Sequence, residues 1–397
     1  MPTRRDYCKM PRLAGKSQLV EPIRLHVAGW RHLTHSFALV NQWQLLALHK
    51  RSDVRLSVED VAIPVAAWRP RPGAFDDDRT ATISGLSPPD GAIDVEYRIA
   101  FPFNLGAGRH NRPVLVFGVT ENWTFPSNYF SNGAVPSDIN ARDGFRLVVP
   151  SRWAMRGFVA NGVDSDRIDV VPHGVDTEVF RFDVQKRDDM RRRLGVEGFV
   201  FLSVGSLVGT KGGVHLLDAF GILLERGIKA TLLLKGHDEL YQSQGRLQQL
   251  VGRMSDSRRR LVLKNMKYVG LSLDMFQMAA LYSAADAYVS PYLAEGFNIP
   301  VLEAASVGLP IIATGGGATD DFTTDLFRRQ LRARLDTSDG KTRLRPDVEH
   351  LAALMQEMAG DEAFVRQART AGPAHVGNGY RWDDVAAKLV EVARRAS

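Results

Sequence analysis

The stretch from Tyr288 to Asp321, YVSPYLAEGFNIPVLEAASVGLPIIATGGGATDD, leaves the chain few ways to fold. An apolar run ends at Val289, a loop carries Glu295 and Gly296, and a helix opens near Ile299-Pro300. Proline suits a first helical turn, where its missing N–H would have had no partner, and Gly308-Leu309-Pro310 stops the helix. A second apolar strand, Ile311 to Ala313, ends in Gly315-Gly316-Gly317. Strand, loop, short helix and strand make a parallel-sheet unit. Ligands of such sheets sit beyond the carboxyl ends of the strands, so Glu295 and the glycines are predicted to face a cleft. N–H groups after Gly296 would point there too and favour an anion. Glu303 follows Glu295 by eight positions, so carboxylates bracket the helix N-terminus. A ligand with phosphate and several hydroxyls fits, and a nucleotide sugar has both.

Phe199 to Val204 opens the doubly wound set that contains this unit, and its loop GSLVGTKGG, Gly205 to Gly213, leads into a helix with Val214, Leu217, Phe220 and Leu224 at core spacing. Lys211 sits where loop N–H groups and a helix N-terminus already favour an anion. An earlier set begins with Ile23 to Ala28, followed by the loop Trp30 to His35 and a helix from Ser36 to Lys50. Val95–Ile99, Val114–Phe117, Phe145–Val149 and Ile168–Val171 read as further strands. Val61 to Asp94, with RPRPGAFDDD and SPPDG, reads as connection rather than core. The chain after Gly317 is polar and irregular as far as Arg345. The architecture expected is therefore α/β, with two doubly wound domains.

The phrase EGFNIPVLEAASVGLP resembles the donor-site signature of the retaining GT-B glycosyltransferases, family 4 (glycosyl transferases group 1), whose usual form is close to EGFGLPVLEAMAxGxP. RIDVVPHGVDTEVF is similar to that family's VVPNGVDxxxF, and YRWDDVAAKLVEVA to its final helix. The resemblance implies two Rossmann-like domains facing a central cleft. An acceptor-binding domain would cover 1–172, completed by a returning helix at 381–397, and a nucleotide-sugar domain 173–380. Glu295 would touch the transferred sugar, the backbone of Gly296, Phe297, Asn298 and Ile299 the sugar and diphosphate, and Glu303 the ribose hydroxyls. Lys211, with Gly205 and Ser206 on the same loop, would meet the diphosphate, matching a GRLxxxKG phrase. Two departures stand out: Asn298 replaces the usual Gly, and Ser206 the usual Arg. Many members carry a His on the loop comparable to the one after Val114–Phe117. Gly118 to Trp123 has none, which leaves Glu121 as candidate acceptor-side base and Trp123 as a candidate to stack on a sugar. Arg31, His32 and His35, on the loop before a helix similar to the family's first, are candidate contacts to acceptor or diphosphate. With a departing diphosphate that helps to take the acceptor proton, Glu295, Lys211 and Glu121 would carry the chemistry.

Composition bounds the rest. The 397 residues exceed what one core usually organises, and 44% apolar with 24% charged is an ordinary globular balance. Cys8 is the one cysteine, which points to a reducing, cytoplasmic compartment. Arg4, Arg5, Lys9, Arg12 and Lys16 precede no apolar core, so no secretory signal is expected. No apolar run approaches the ~20 residues of a membrane span. The net charge of +6 allows peripheral contact with an anionic inner membrane face. Arg191-Arg192-Arg193 and Arg258-Arg259-Arg260 lack interleaved aromatics, so nucleic acid is not an expected partner. Asp76-Asp77-Asp78 lies in the proline-rich segment, so no metal and no cofactor are expected. The expected partners are a UDP- or GDP-linked sugar and a glycan or lipid-linked acceptor. A nucleotide-sugar epimerase, or a non-catalytic nucleotide-sugar-binding protein on the same fold, remains open at this point.

Overall fold

The structure, a computed structural model, describes residues 21–397. Cys8 and the basic residues from Arg4 to Lys16 lie outside the described residues. Two six-stranded parallel sheets carry the chain. The first is built from β1 (Ile23–Gly29), β2 (Val54–Asp60), β3 (Val95–Ile99), β4 (Val114–Phe117), β5 (Phe145–Val149) and β6 (Ile168–Val170), in the order β2-β1-β3-β4-β5-β6. The second uses β7 (Phe199–Val204), β8 (Ala230–Lys235), β9 (Met266–Val269), β10 (Ala287–Ser290), β11 (Ile311–Thr314) and β12 (Arg328–Leu331), in the order β12-β11-β10-β7-β8-β9. A hairpin of β13 (Ala333–Asp336) and β14 (Arg343–Pro346) follows.

Helices α1 (Ser36–His49), α2 (Asp77–Gly85) and α3 (Arg152–Val159) cover the first sheet, and α4 (Val184–Leu194) leads to the second. Around the second sheet lie α5 (Gly213–Glu225), α6 (Asp238–Tyr241), α7 (Ser243–Gly252), α8 (Asp256–Lys264), α9 (Met275–Ala284), α10 (Ile299–Val307), α11 (Val348–Gly360) and α12 (Glu362–Gly377). Helix α13 (Trp382–Ala396) returns to the first sheet, where Trp382, Val385, Leu389 and Val392 share a core with β1 and α1. Trp382 stacks on Trp43 at 6.0 Å. The chain is thus a GT-B fold: two Rossmann-like sheets with helices on both faces, one completed by the last helix.

Central strands such as β10 and β11 are buried at every residue, as both-face coverage demands, and this is why their apolar runs are continuous. In each sheet the strand order reverses at one point, between β1 and β3 in the first and between β7 and β10 in the second. Loops leaving the carboxyl ends at such a point diverge and open a crevice. The two crevices face each other.

Several sequence expectations change. Val61 to Asp94 contains α2, with Asp76 as its N-cap accepting from Arg79 N–H at 2.8 Å, and Ile83 and Phe75 enter the core. The acidic triplet is thus a helix start. The segment after Gly317 contains β12 and the β13–β14 hairpin, and Arg328 is a buried residue paired with Asp320. Gly174, in the VVPHGVD phrase, is a point of close approach: a Cβ there would lie 2.8 Å from Trp382 N. The segment beside it is tied to the return of the C-terminal helix, with Val175 N–H donating to Tyr380 O at 2.9 Å.

Candidate functional site

A cavity of about 810 Å³ lies where the two crevices meet. Its C-terminal wall depends on two loops stitched together. The loop after β7 crosses over the end of β10 at Gly212, which holds φ at +71° and whose Cβ, if present, would lie 1.8 Å from Pro291 O. Only glycine serves both the left-handed turn and the contact. Thr210 O then accepts from Leu293 and Ala294 N–H at 2.7 and 3.3 Å. This docking carries Lys211 to the residue after Ala294, and its Nζ sits 2.7 Å from Glu295 Oε1. From the opposite wall, on the loop after β4, Glu121 Oε1 approaches the same ammonium at 3.4 Å.

Burial opposes charge on Lys211, yet two carboxylates together hold its pKa above the ordinary lysine value. Burial also pushes the Glu295 carboxyl up, against the pull of Lys211 and with a push from Glu121. One cation shared by two carboxylates is a site already biased towards more positive charge or a charged partner.

Helix α10 starts at the same place. Its N-cap, Asn298, adopts φ +80° and ψ 65°, and no side chain caps the first turn. This accounts for the departure from the family pattern: the position requires the left-handed region, which asparagine tolerates better than other residues with a Cβ. The Asn298 amide donates to Ser290 Oγ at 2.9 Å, so no side chain caps the helix and, with Pro300 lacking an N–H and Val301 N–H donating to Asn298 O, Ile299 N–H is the uncapped donor of the first turn. One turn on, Glu303 accepts from the Tyr282 hydroxyl at 2.6 Å. Its carboxylate is open to the cavity yet surrounded by protein, and burial raises its pKa to about 7 against the pull of that hydrogen bond. Gly296 meets the other domain: a Cβ there would strike Val119 at 2.1 Å, and its carbonyl accepts from the Ser151 hydroxyl at 2.6 Å.

Residues Glu121, Gly205, Ser206, Lys211, Glu295, Gly296, Phe297, Asn298, Ile299 and Glu303 all line this one cavity. Of the acceptor-side candidates His35 does, while Arg31, His32 and Trp123 do not. Arg31 pairs with Asp60 at 2.7 Å and donates to Ile83 O, tying β2 to α2. His32 sits at φ +57° with its backbone N–H on Gln42. Trp123 packs against Trp153, ring centroids 4.9 Å apart, beneath Arg156. His35 caps α1, accepting from Phe37 N–H at 3.2 Å, and burial lowers its pKa to about 4, so it is neutral.

The N-terminal wall also contains residues that sequence reasoning did not single out. Trp68, from the proline-rich segment, lies 4.7 Å from the His35 ring, and Phe101 and Tyr129 extend the same surface. His173 is buried between Phe117 and Phe297 and kept neutral by burial, its pKa lowered to about 3. Lys235 and His237 line the cavity from the end of β8. A lysine closing the apolar run ATLLL was the one signal of these available in the sequence.

Among the described residues no helix is long and apolar enough to cross a membrane. The family model for glycosyl transferases group 1 matches residues 185–331. The MMP alpha-(1->4)-mannosyltransferase of Mycolicibacterium hassiacum is 26% identical over 252 residues, 63% of this chain and 54% of that protein. The UDP-Gal:alpha-D-GlcNAc-diphosphoundecaprenol alpha-1,3-galactosyltransferase of Escherichia coli is 30% identical over 38% of each chain. The chain therefore spans about half or less of the length of these curated relatives. HepE of Anabaena, solved in complex with UDP-glucose, covers 94% of this chain and 100% of its own with a TM-score of 0.67 at 13% identity, a likeness of fold.

Proposed function

We propose that the chain, whose residues 185–331 match the family model for glycosyl transferases group 1, transfers a sugar from a nucleotide-sugar donor, UDP- or GDP-linked, to a hydroxyl of a glycan or lipid-linked acceptor, with retention of anomeric configuration. One observation carries the reading: Lys211, Glu295, the uncapped start of α10 and Glu303 converge on a single cavity between two Rossmann-like sheets. The diphosphate fits against Lys211 and the N-terminus of α10, which together oppose its charge without any rearrangement of the fold. Glu303 is placed to accept from ribose hydroxyls and Glu295 from the sugar.

In the step itself the bond from the anomeric carbon to the β-phosphate oxygen breaks, its electron pair staying with the diphosphate, and the acceptor oxygen bonds to that carbon. The acceptor proton passes to the departing phosphate on the same face, with Glu121 near enough to Lys211 to bias the local charge. Lys211 holds the growing negative charge of the leaving group. We place the reaction in the cytoplasm, with peripheral contact at the inner membrane face when the acceptor is lipid-linked, and with the acceptor-binding unit at 1–172 and 381–397 and the donor-binding unit at 173–380. A thermal-shift screen against UDP, GDP and ADP sugars tests donor binding, and NMR of the product anomeric proton tests retention. Stabilisation by one nucleotide series is expected. Its absence across all three series would sink the reading.

A further inference from the structure

The charged groups that line the cavity are not balanced alike. Lys211 is shared by Glu121 and Glu295. Lys235, at the carboxyl end of β8, is only 5% exposed, and among the described residues no carboxylate forms an ion pair with it. Its ammonium donates to the carbonyl of its neighbour Gly236. Burial lowers its pKa to about 8, offset only in part by the more distant Asp238. An ammonium held in this way costs stability unless something outside the protein meets its charge. The strand does not need it either. Four buried apolar residues, Ala230, Leu232, Leu233 and Leu234, precede Lys235 in β8, and a methionine would continue that run with a similar length.

Its location indicates what it would meet. β7 and β8 pair in parallel with Val204 beside Lys235, and Gly205 N–H donates to Lys235 O at 2.9 Å. Lys235 therefore stands next to the Gly205-Ser206 turn, where the signature residue expected to grip the diphosphate is missing. Lys211 approaches the same turn, its Cγ 3.6 Å from where a Gly205 Cβ would be. Ser243 locks the two strand ends together: its hydroxyl donates to Ser206 O at 2.9 Å and accepts from His237 N–H at 3.0 Å.

We propose that Lys235 is the second diphosphate-binding cation of this site, supplying from β8 the charge that Ser206 does not supply from the β7 loop, so that the donor's phosphates lie between Lys211 and Lys235. This rests on the nucleotide-sugar reading given above. It assigns the two cations different work. Lys211 is neutralised before donor arrives and must exchange carboxylate for phosphate, whereas Lys235 exchanges a backbone carbonyl for phosphate and gains its first anionic partner. A single ammonium cannot grip two oxygens as a guanidinium does, but two ammonium groups beside one turn can each take one.

The test is calorimetric titration of wild type, Lys235→Met and Lys235→Arg with UDP, GDP and ADP and with the corresponding nucleosides, alongside thermal melts without ligand. Wild type should bind one diphosphate. Lys235→Met should lose roughly 10- to 100-fold in affinity for it, the range of a lost charge-assisted hydrogen bond, while nucleoside affinity stays unchanged. Lys235→Arg should recover part of the loss. The ligand-free melting temperature of Lys235→Met should be equal to or above wild type, because a buried unpaired charge has gone. Equal diphosphate affinity in wild type and Lys235→Met would overturn the proposal and leave the glycosyltransferase reading standing. A lower ligand-free melting temperature with equal loss of nucleoside and diphosphate affinity would overturn it too, by showing a structural role. Failure of wild type to bind any of the three diphosphates would sink both.

Discussion

The two walls of the cavity are made of different chemistry. The C-terminal wall offers ammonium groups, carboxylates and an uncapped helix start, set by turns at Gly212 and Asn298 that few residues can occupy. The N-terminal wall offers rings: His35, Phe37, Trp68, Phe101 and Tyr129, brought together from three separate loops and a helix start. On the proposed function, the difference follows from what each wall would hold. A diphosphate is the same in every nucleotide sugar and is gripped by backbone and charge, which demand fixed residue types at fixed spacing. An acceptor is gripped by side-chain surface, and any aromatic from any neighbouring loop supplies that. Recognition on one side is therefore tied to the backbone, and on the other it is free to drift.

The comparison breaks most easily at Lys211, where the largest effect is expected. Lys211→Ala removes the charge that opposes the leaving group and leaves Glu121 and Glu295 facing each other without a cation. Turnover at saturating donor should fall about 10²- to 10³-fold, the range of about 3 to 4 kcal/mol typical of a lost preorganised charge. Single-turnover kinetics would show it, and near-normal rates would remove Lys211 from the diphosphate site. Glu303→Gln comes next, with donor affinity expected to fall roughly tenfold as a charged acceptor of ribose hydroxyls becomes neutral. Its pH dependence gives a sharper reading. With the carboxyl raised to about 7 by burial, the ionised acceptor appears only as pH climbs through 7, so donor affinity should rise across that interval in wild type and stay flat in Glu303→Gln. Stability without ligand should move the other way. The unfolded chain ionises this group from about pH 4.3, so its cost to the fold grows from there to 7 and is constant above.

On the N-terminal wall Trp68→Ala should act on the acceptor alone. Its ring packs on His35 and Trp30, and losing that surface should raise the acceptor KM by a few fold, on the order of 1 kcal/mol, with donor affinity unchanged. A loss of donor binding in initial-rate and titration data would mean that the two walls are not separable. The contrast with Lys211 is the point of the pair of experiments: one mutation moves kcat and the other KM.

The same contrast governs what the sequence could reveal. Central strands β4, β7, β10 and β11 are visible as largely apolar runs because both their faces are covered, whereas β1 and β3 bury His26, Glu96 and Arg98 among their apolar residues. The strands that escape notice, β2, β9 and β12, are three of the four sheet edges. There one side is open, and VRLSVED and MKYV mix polar with apolar residues as an edge allows. In the site, Glu295, Glu303, Lys211 and the glycines are legible because backbone geometry fixes their spacing. Arg31 and His32 were drawn in by position on the loop after β1, but that loop turns through His32 at φ +57° and aims Arg31 at Asp60. Trp68 could not be placed, since it reaches the cavity only through the tertiary path of a proline-rich connection.

The smallest effect tests the backbone side of the comparison most directly. If the donor wall is read through the chain path and not through the side chain at 298, Asn298→Gly should leave donor affinity within about twofold. The change removes the side-chain hydrogen bond to Ser290 Oγ, a loss of about 1 kcal/mol, and releases a comparable part of the cost of holding a residue with a Cβ at φ +80°. The two nearly cancel. Asn298→Val loses the same bond and forces a β-branched residue into the left-handed region, so helix α10 should start later and its uncapped N–H shift away from the phosphate site. Donor affinity should then drop several fold, with a parallel loss of thermal stability. Measured by titration with the nucleoside diphosphate, the ordering wild type ≈ Gly > Val would tie phosphate recognition to the conformation at this position. An Asn298→Gly variant that binds as poorly as Asn298→Val would instead give the asparagine amide a direct role with the ligand, and the donor wall would then depend on side chains as the acceptor wall does.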